Sequence, residues 1–67
     1  MEDYKQISDL IVRRRKFLGL TQQALALRAG VSLRSLKSVE SAEGNPSFLL
    51  LTRILNLLGM KLHAVIR

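Results

Sequence analysis

The 67-residue sequence has no cysteine, one proline and one histidine. It therefore holds neither a disulfide framework nor a zinc cluster, and His63 is too isolated to suggest a metal site or a catalyst. No cofactor is implied. Apolar runs are short: none exceeds four residues, as in Phe48 to Leu51, against the roughly 20 that a bilayer-spanning helix needs. The N-terminus lacks the uninterrupted apolar segment of a signal peptide, so a cytoplasmic location is expected, with no membrane partner. Catalysis lacks its parts as well. No nucleophile stands with a base, no glycine loop cradles phosphate, no acid pair has useful spacing, and so short a chain has little room for a large pocket. An enzyme is not expected.

Acids are also scarce. Five Asp and Glu oppose eleven Lys and Arg, for a net charge of +6. Between Leu10 and Val39 there are seven bases (Arg13, Arg14, Arg15, Lys16, Arg28, Arg34 and Lys37) and no acid. A basic field of this kind attracts polyanions and speeds their encounter. Charge alone leaves open a solvated cationic face. Length adds a second constraint, because a chain of this size buries only about 60% of its unfolded surface and is marginally stable alone. With disulfides and metals excluded, a partner subunit is the expected source of further burial.

The chain reads as one domain, residues 1–67, without repeats, low-complexity tracts or a dividing linker. A first helix is predicted from about Asp3 to Leu18, where Tyr4, Ile7, Leu10, Ile11, Phe17 and Leu18 recur at helical spacing. Gly19 stops it. Thr21 can cap a short helix from Gln22 to Ala29 that turns Leu25, Ala26 and Ala29 inward. Gly30 provides a permissive turn, and Ser32 caps a third helix ending near Ser41.

Two short helices joined by a tight turn, with a polar and basic second member, have the layout of a DNA-reading helix-turn-helix over residues 21–41. At about 100° per residue, Leu36 and Val39 mark the buried side of the third helix, and the opposite arc collects Arg34, Lys37, Ser38 and Ser41. Leu33 falls at the boundary. Arginine and lysine can donate to guanine O6 and N7, serine can donate or accept, and leucine can pack on a thymine methyl. An ordinary amphipathic helix with a wet face would show the same pattern.

Family resemblance narrows the choice. Leu20-Thr21-Gln22, Leu25-Ala26, Gly30-Val31-Ser32, Leu36, Glu40 and Asn45-Pro46-Ser47 together resemble the lambda-repressor and Cro type of helix-turn-helix, also called Xre-like. The resemblance covers roughly residues 7–59 and rests on the combination of spacings. It implies a mainly all-α, compact four-helix domain that binds double-stranded DNA. It further implies that Leu33, Arg34, Lys37 and Ser38 face bases, and that Thr21, Gln22, Ser32 and Asn45 serve phosphates. Arg15 and Glu40 match a pair that bridges the first and third helices in this family, which gives Arg15 a structural role. Arg13 and Lys16 are at most electrostatic contributors. One departure is visible: the family often has glycine two residues after the glutamate, where this chain has Ala42. A different loop path is expected there.

The second half carries another message. A fourth helix from about Ser47 to Leu58, capped by Asn45 or Ser47, is apolar around most of its circumference. Three short helices cannot cover it, so self-association is expected; a dense core is the alternative. Gly59 ends the helix, and Met60 to Arg67 then alternates as a strand does. A lone strand leaves backbone groups unpaired. The expectation is therefore a two-fold homodimer built on residues 47–67, its C-terminal β-strands paired between copies and its interface formed by Leu50, Ile54, Leu57, Leu58, Met60, Leu62, Ala64 and Ile66. HipB-like antitoxins, a branch of the family, are similar in placing a C-terminal strand at a dimer interface. The reading that follows is a dimeric repressor on a palindromic operator. The alternative is an antitoxin that holds a toxin protein and regulates its own operon.

Overall fold

The computed structural model describes residues 2–66 and contains four helices: α1 (Glu2–Phe17), α2 (Gln22–Ala29), α3 (Leu33–Glu40) and α4 (Phe48–Leu57). Met1 and Arg67, the latter assigned above to the C-terminal strand, lie outside the described residues. Local chemistry explains the boundaries. Thr21, Ser32 and Ser47 stand before α2, α3 and α4 in extended conformation, and each hydroxyl oxygen accepts from the backbone N–H three residues on. Those bonds satisfy donors that a helix start leaves unpaired. The cap of α4 is Ser47, so Asn45 is released from that role and Pro46 sits outside the helix.

All four helices end in the same way. After α1, the N–H groups of Gly19 and Leu20 return to the carbonyls of Lys16 and Arg15; the pattern recurs at Gly30 and Val31, at Ala42 and Glu43, and at Gly59 and Met60. This is the Schellman turn, whose first outer residue takes the left-handed conformation. Glycine fills that position three times, but after α3 it is Ala42, at φ 55°. The loop after α3 therefore keeps the turn a glycine would make, and the different path expected from Ala42 is not taken. The departure lies in strain at one residue, because the left-handed region crowds Cβ against the following carbonyl.

Ile11, Leu25, Leu36, Val39, Ile54 and Leu58 are buried almost completely, joined by Tyr4, Ala26 and Leu55. α2 lies against both α3 and α4, and α1 crosses α3. Each fully buried Val, Leu or Ile contributes roughly 1.5–3 kcal/mol of transfer free energy. Ser8 is buried too, and its hydroxyl donates to the Tyr4 carbonyl one turn back at 2.9 Å. Three residues expected on the inner face of α1 are outside instead: Leu10, Leu18 and especially Phe17, 78% exposed. Helical spacing marks a stripe of apolar residues, but only the neighbouring helices decide how much of it is covered. Arg14 packs over the Phe17 ring and donates Nε–H to the Leu58 carbonyl at 2.9 Å, tying α1 to the end of α4.

The C-terminal segment has no helix or strand assigned over residues 60–66. Met60 shares a groove with Leu10 and Phe17 of α1, whereas Leu62, His63 and Ala64 share one with Phe48 at the start of α4. The segment thus runs back alongside α4. Met60 and Leu62 are half-buried against the core, and Val65 and Ile66 are exposed. Two residues expected at a dimer interface need correction: Ile54 and Leu58 are enclosed by the chain's own core, at 0% and 1% exposure, and present no surface to a partner.

Candidate nucleic-acid interface

α3 is held by two anchors at its C-terminal end. The first is a buried ion pair. Arg15 donates Nε–H to one Glu40 oxygen at 2.7 Å and Nη2–H to the other at 2.9 Å, while Nη1–H reaches the Leu20 carbonyl at 3.0 Å. The side chains are 12% and 6% exposed. Gln22 completes the set by donating its amide N–H to Glu40 at 3.0 Å. One carboxylate therefore joins α1, α2 and α3, with guanidinium and carboxylate matched fork to fork.

The second anchor was not legible in the sequence. The Tyr4 hydroxyl donates to the Glu43 carbonyl at 2.6 Å, with the Ser38 carbonyl at 3.5 Å. It clips the start of α1 to the turn that closes α3. Burial, and secondarily the Glu43 charge, raises the Tyr4 phenol above its ordinary value. The ionised form would be poorly solvated there and could not donate.

With Leu36 and Val39 in the core and Glu40 in the ion pair, the remaining face of α3 turns outward. Leu33, Arg34, Lys37, Ser38 and Ser41 line an open groove along it, together with Glu43. Arg34, Lys37 and Ser41 are exposed, and Ser38 is half-buried. Leu33 has two environments, being packed in part against the core while also lining the groove. The four residues expected to face bases are thus neighbours on one surface. Such a face combines guanidinium, ammonium and hydroxyl donors at the spacing of a helix that can enter a major groove.

The expected phosphate residues are more dispersed. Thr21 and Ser32 flank the two helices as their caps, and the Ser32 hydroxyl also donates to Ser35 Oγ at 2.8 Å. An anion at Ser32 would have to displace that bond. Gln22 has one amide hydrogen on Glu40 and a second available for an anion. Asn45 is exposed and sits beside Pro46 in the loop beyond Glu43. Arg13 is in the groove with Leu10, Phe17 and Met60, away from α3. Sequence reasoning missed Glu43 as part of this surface. Its position follows from the turn at Ala42, which the expected change of loop path had obscured.

A capped helix pair with a tight glycine turn and a donor-rich outer face on its second member defines a helix-turn-helix domain. The sequence pattern of the Helix-turn-helix family matches residues 11–65. Over 50 residues the chain is 44% identical to a protein of Methanothermobacter thermautotrophicus called an uncharacterized HTH-type transcriptional regulator, an alignment spanning 75% of this chain and 72% of that protein. The chain belongs to the helix-turn-helix family, of the Cro/C1 or Xre-like type, and is a DNA-binding regulator. No helix among the described residues is long and apolar enough to cross a membrane.

Proposed function

We propose that the chain is a homodimeric, sequence-specific repressor that reads a palindromic operator through the major groove. The carrying observation is the outer face of α3, where Leu33, Arg34, Lys37 and Ser38 share one groove on a helix anchored by Arg15, Gln22 and Glu40. Leu33, Arg34, Lys37 and Ser38 read base edges; Thr21, Gln22, Ser32 and Asn45 orient the domain on phosphates. Half-sites would lie about 34 Å apart, one helical turn, on the same side of the duplex.

The dimer is supported by surface that the single chain leaves uncovered. Phe48, Leu49 and Leu57 of α4 are exposed, as are Ala64, Val65 and Ile66. Among the described residues, the backbone of residues 61–66 takes no part in hydrogen bonds within the chain. Pairing two such segments antiparallel would satisfy those groups and cover the apolar side chains together. Leu50, Met60 and Leu62, half-buried already, would flank the contact.

Selection from a random duplex library, followed by titration of the enriched site, tests the reading. Arg34→Ala should weaken the selected site by about 1–3 kcal/mol and relax preference at one position. Gln22→Ala should weaken all sequences alike. An unenriched library, or an unchanged preference in the Arg34 variant, would refute it. A second reading, an antitoxin that also holds a toxin protein, draws on the exposed Leu10 and Phe17 beside Arg13 on a face turned away from α3. Stoichiometric co-purification with the product of an adjacent reading frame would support it, and separate elution of the two would count against it.

A further inference from the structure

The groove over α3 is lined by Leu33, the bases Arg34 and Lys37, the hydroxyls of Ser38 and Ser41, and a single acid, Glu43. Its backbone is fixed on both sides: the N–H donates to the Ser38 carbonyl at 2.9 Å, and the carbonyl accepts from Tyr4 at 2.6 Å. Among the described residues the ion pairs are Lys5–Asp9 and Arg15–Glu40, so neither Arg34 nor Lys37 neutralises the Glu43 carboxylate by direct contact. A carboxylate is thus held, by a rigid turn, on a surface whose other charges suit an anion.

Carboxylates only accept hydrogen bonds and are repelled by phosphate. In the major groove the donors are amino groups, and a glutamate takes that of cytosine N4. A G·C pair presents guanine O6 and N7 as acceptors and the cytosine amino group beside them. The groove carries the complement of both halves, Arg34 and Lys37 for the guanine edge and Glu43 for the cytosine edge. We propose that Glu43 is a specificity-determining residue of this DNA-reading surface, accepting from a cytosine amino group in the major groove. Each half-site then carries a C·G pair at the position facing the turn after α3. The assignment rests on the DNA-reading function proposed above.

The test compares wild type, Glu43→Ala and Glu43→Gln as full chains. Each is taken through selection from a random duplex library and titrated with the best wild-type site and its single-base variants. Because the Glu43 side chain is exposed and its bond to Tyr4 uses the backbone, both variants should keep the wild-type melting curve. Wild type should favour cytosine at one position of each half-site. Glu43→Ala should lose that preference by about tenfold with the other positions unchanged, and Glu43→Gln should turn it toward adenine, which glutamine pairs through N6 and N7. Unaltered preferences in both variants would overturn the assignment. So would uniform tightening on every sequence, which is the mark of a carboxylate that merely repels phosphate. A wild-type chain that enriches no sequence would refute the DNA-reading proposal itself, and this assignment with it.

Discussion

Ala42 holds a left-handed conformation at φ 55° that carries a cost of about 1–2 kcal/mol for a residue with Cβ. Its methyl group packs in part against the core, which returns some of that. Ala42→Gly is therefore expected to stabilise the domain by about 0.5–1 kcal/mol, read as a higher urea midpoint. A lower midpoint would mean that the methyl contact outweighs the strain. Tyr4 makes a second prediction at this scale. Tyr4→Phe keeps the buried ring but removes the bond to Glu43, and should cost about 0.5–1.5 kcal/mol. It should also alter the response to alkali. Below pH 10 both folded and unfolded chains keep the phenol proton, and the contribution of Tyr4 is intact. As pH rises past the ordinary value of 10.0 toward the raised value in the fold, the unfolded chain ionises first and stability is lost. Urea titrations between pH 8 and 11 should show that decline in wild type and a shallower one in Tyr4→Phe. The sequence places Tyr4 on the inner face of α1, but no local spacing points its hydroxyl to a carbonyl 39 residues away.

At the scale of elements, the helices were legible because their ends are local chemistry. A hydroxyl residue before each of α2, α3 and α4, and a glycine after α1, α2 and α4, state where each begins or stops. The Arg15–Glu40 pair is implied by resemblance alone, since a separation of 25 residues hides it from any helical wheel. What local pattern could not supply was coverage. Leu10 and Phe17 of α1, and Phe48 and Leu49 of α4, recur at core spacing yet face outward, because four short helices present too little surface to enclose them. The ion pair makes the sharpest prediction for these elements. Glu40→Ala strands a nearly buried guanidinium and should cost about 3–5 kcal/mol, much of the roughly 3–10 kcal/mol that a domain of this size holds. Adding Arg15→Ala should recover part of the loss, because the second truncation removes the stranded charge. Thermal melts of the two single variants and the double variant close that cycle; strict additivity would show the pair to be uncoupled.

For the whole molecule, charge and uncovered apolar surface act on different partners. The net charge of +6 draws the domain to polyanions, so affinity for any duplex should fall steeply with salt, the logarithmic slope being about 0.9 per phosphate neutralised. Preference among sequences should survive that fall better than affinity does, because base contacts release no counterions. The proposed self-association would rest instead on α4 and residues 61–66. Val65 is 76% exposed in the single chain, so Val65→Asp should leave the monomer fold intact while weakening a dimer that buries it. Sedimentation across a micromolar concentration range measures the difference. A wild-type monomer throughout would remove the dimer, and identical profiles for both chains would move its interface elsewhere.

The unpaired backbone of residues 61–66 also bears on how long the protein lasts. Proteases bind substrates as extended strands, and Lys61 stands exposed within such a stretch. A second copy pairing there would mask the scissile bond, so trypsin should release residues 62–67 quickly from dilute protein and slowly from concentrated protein. Lifetime would then depend on abundance: scarce chains are trimmed while alone, and plentiful ones shield each other.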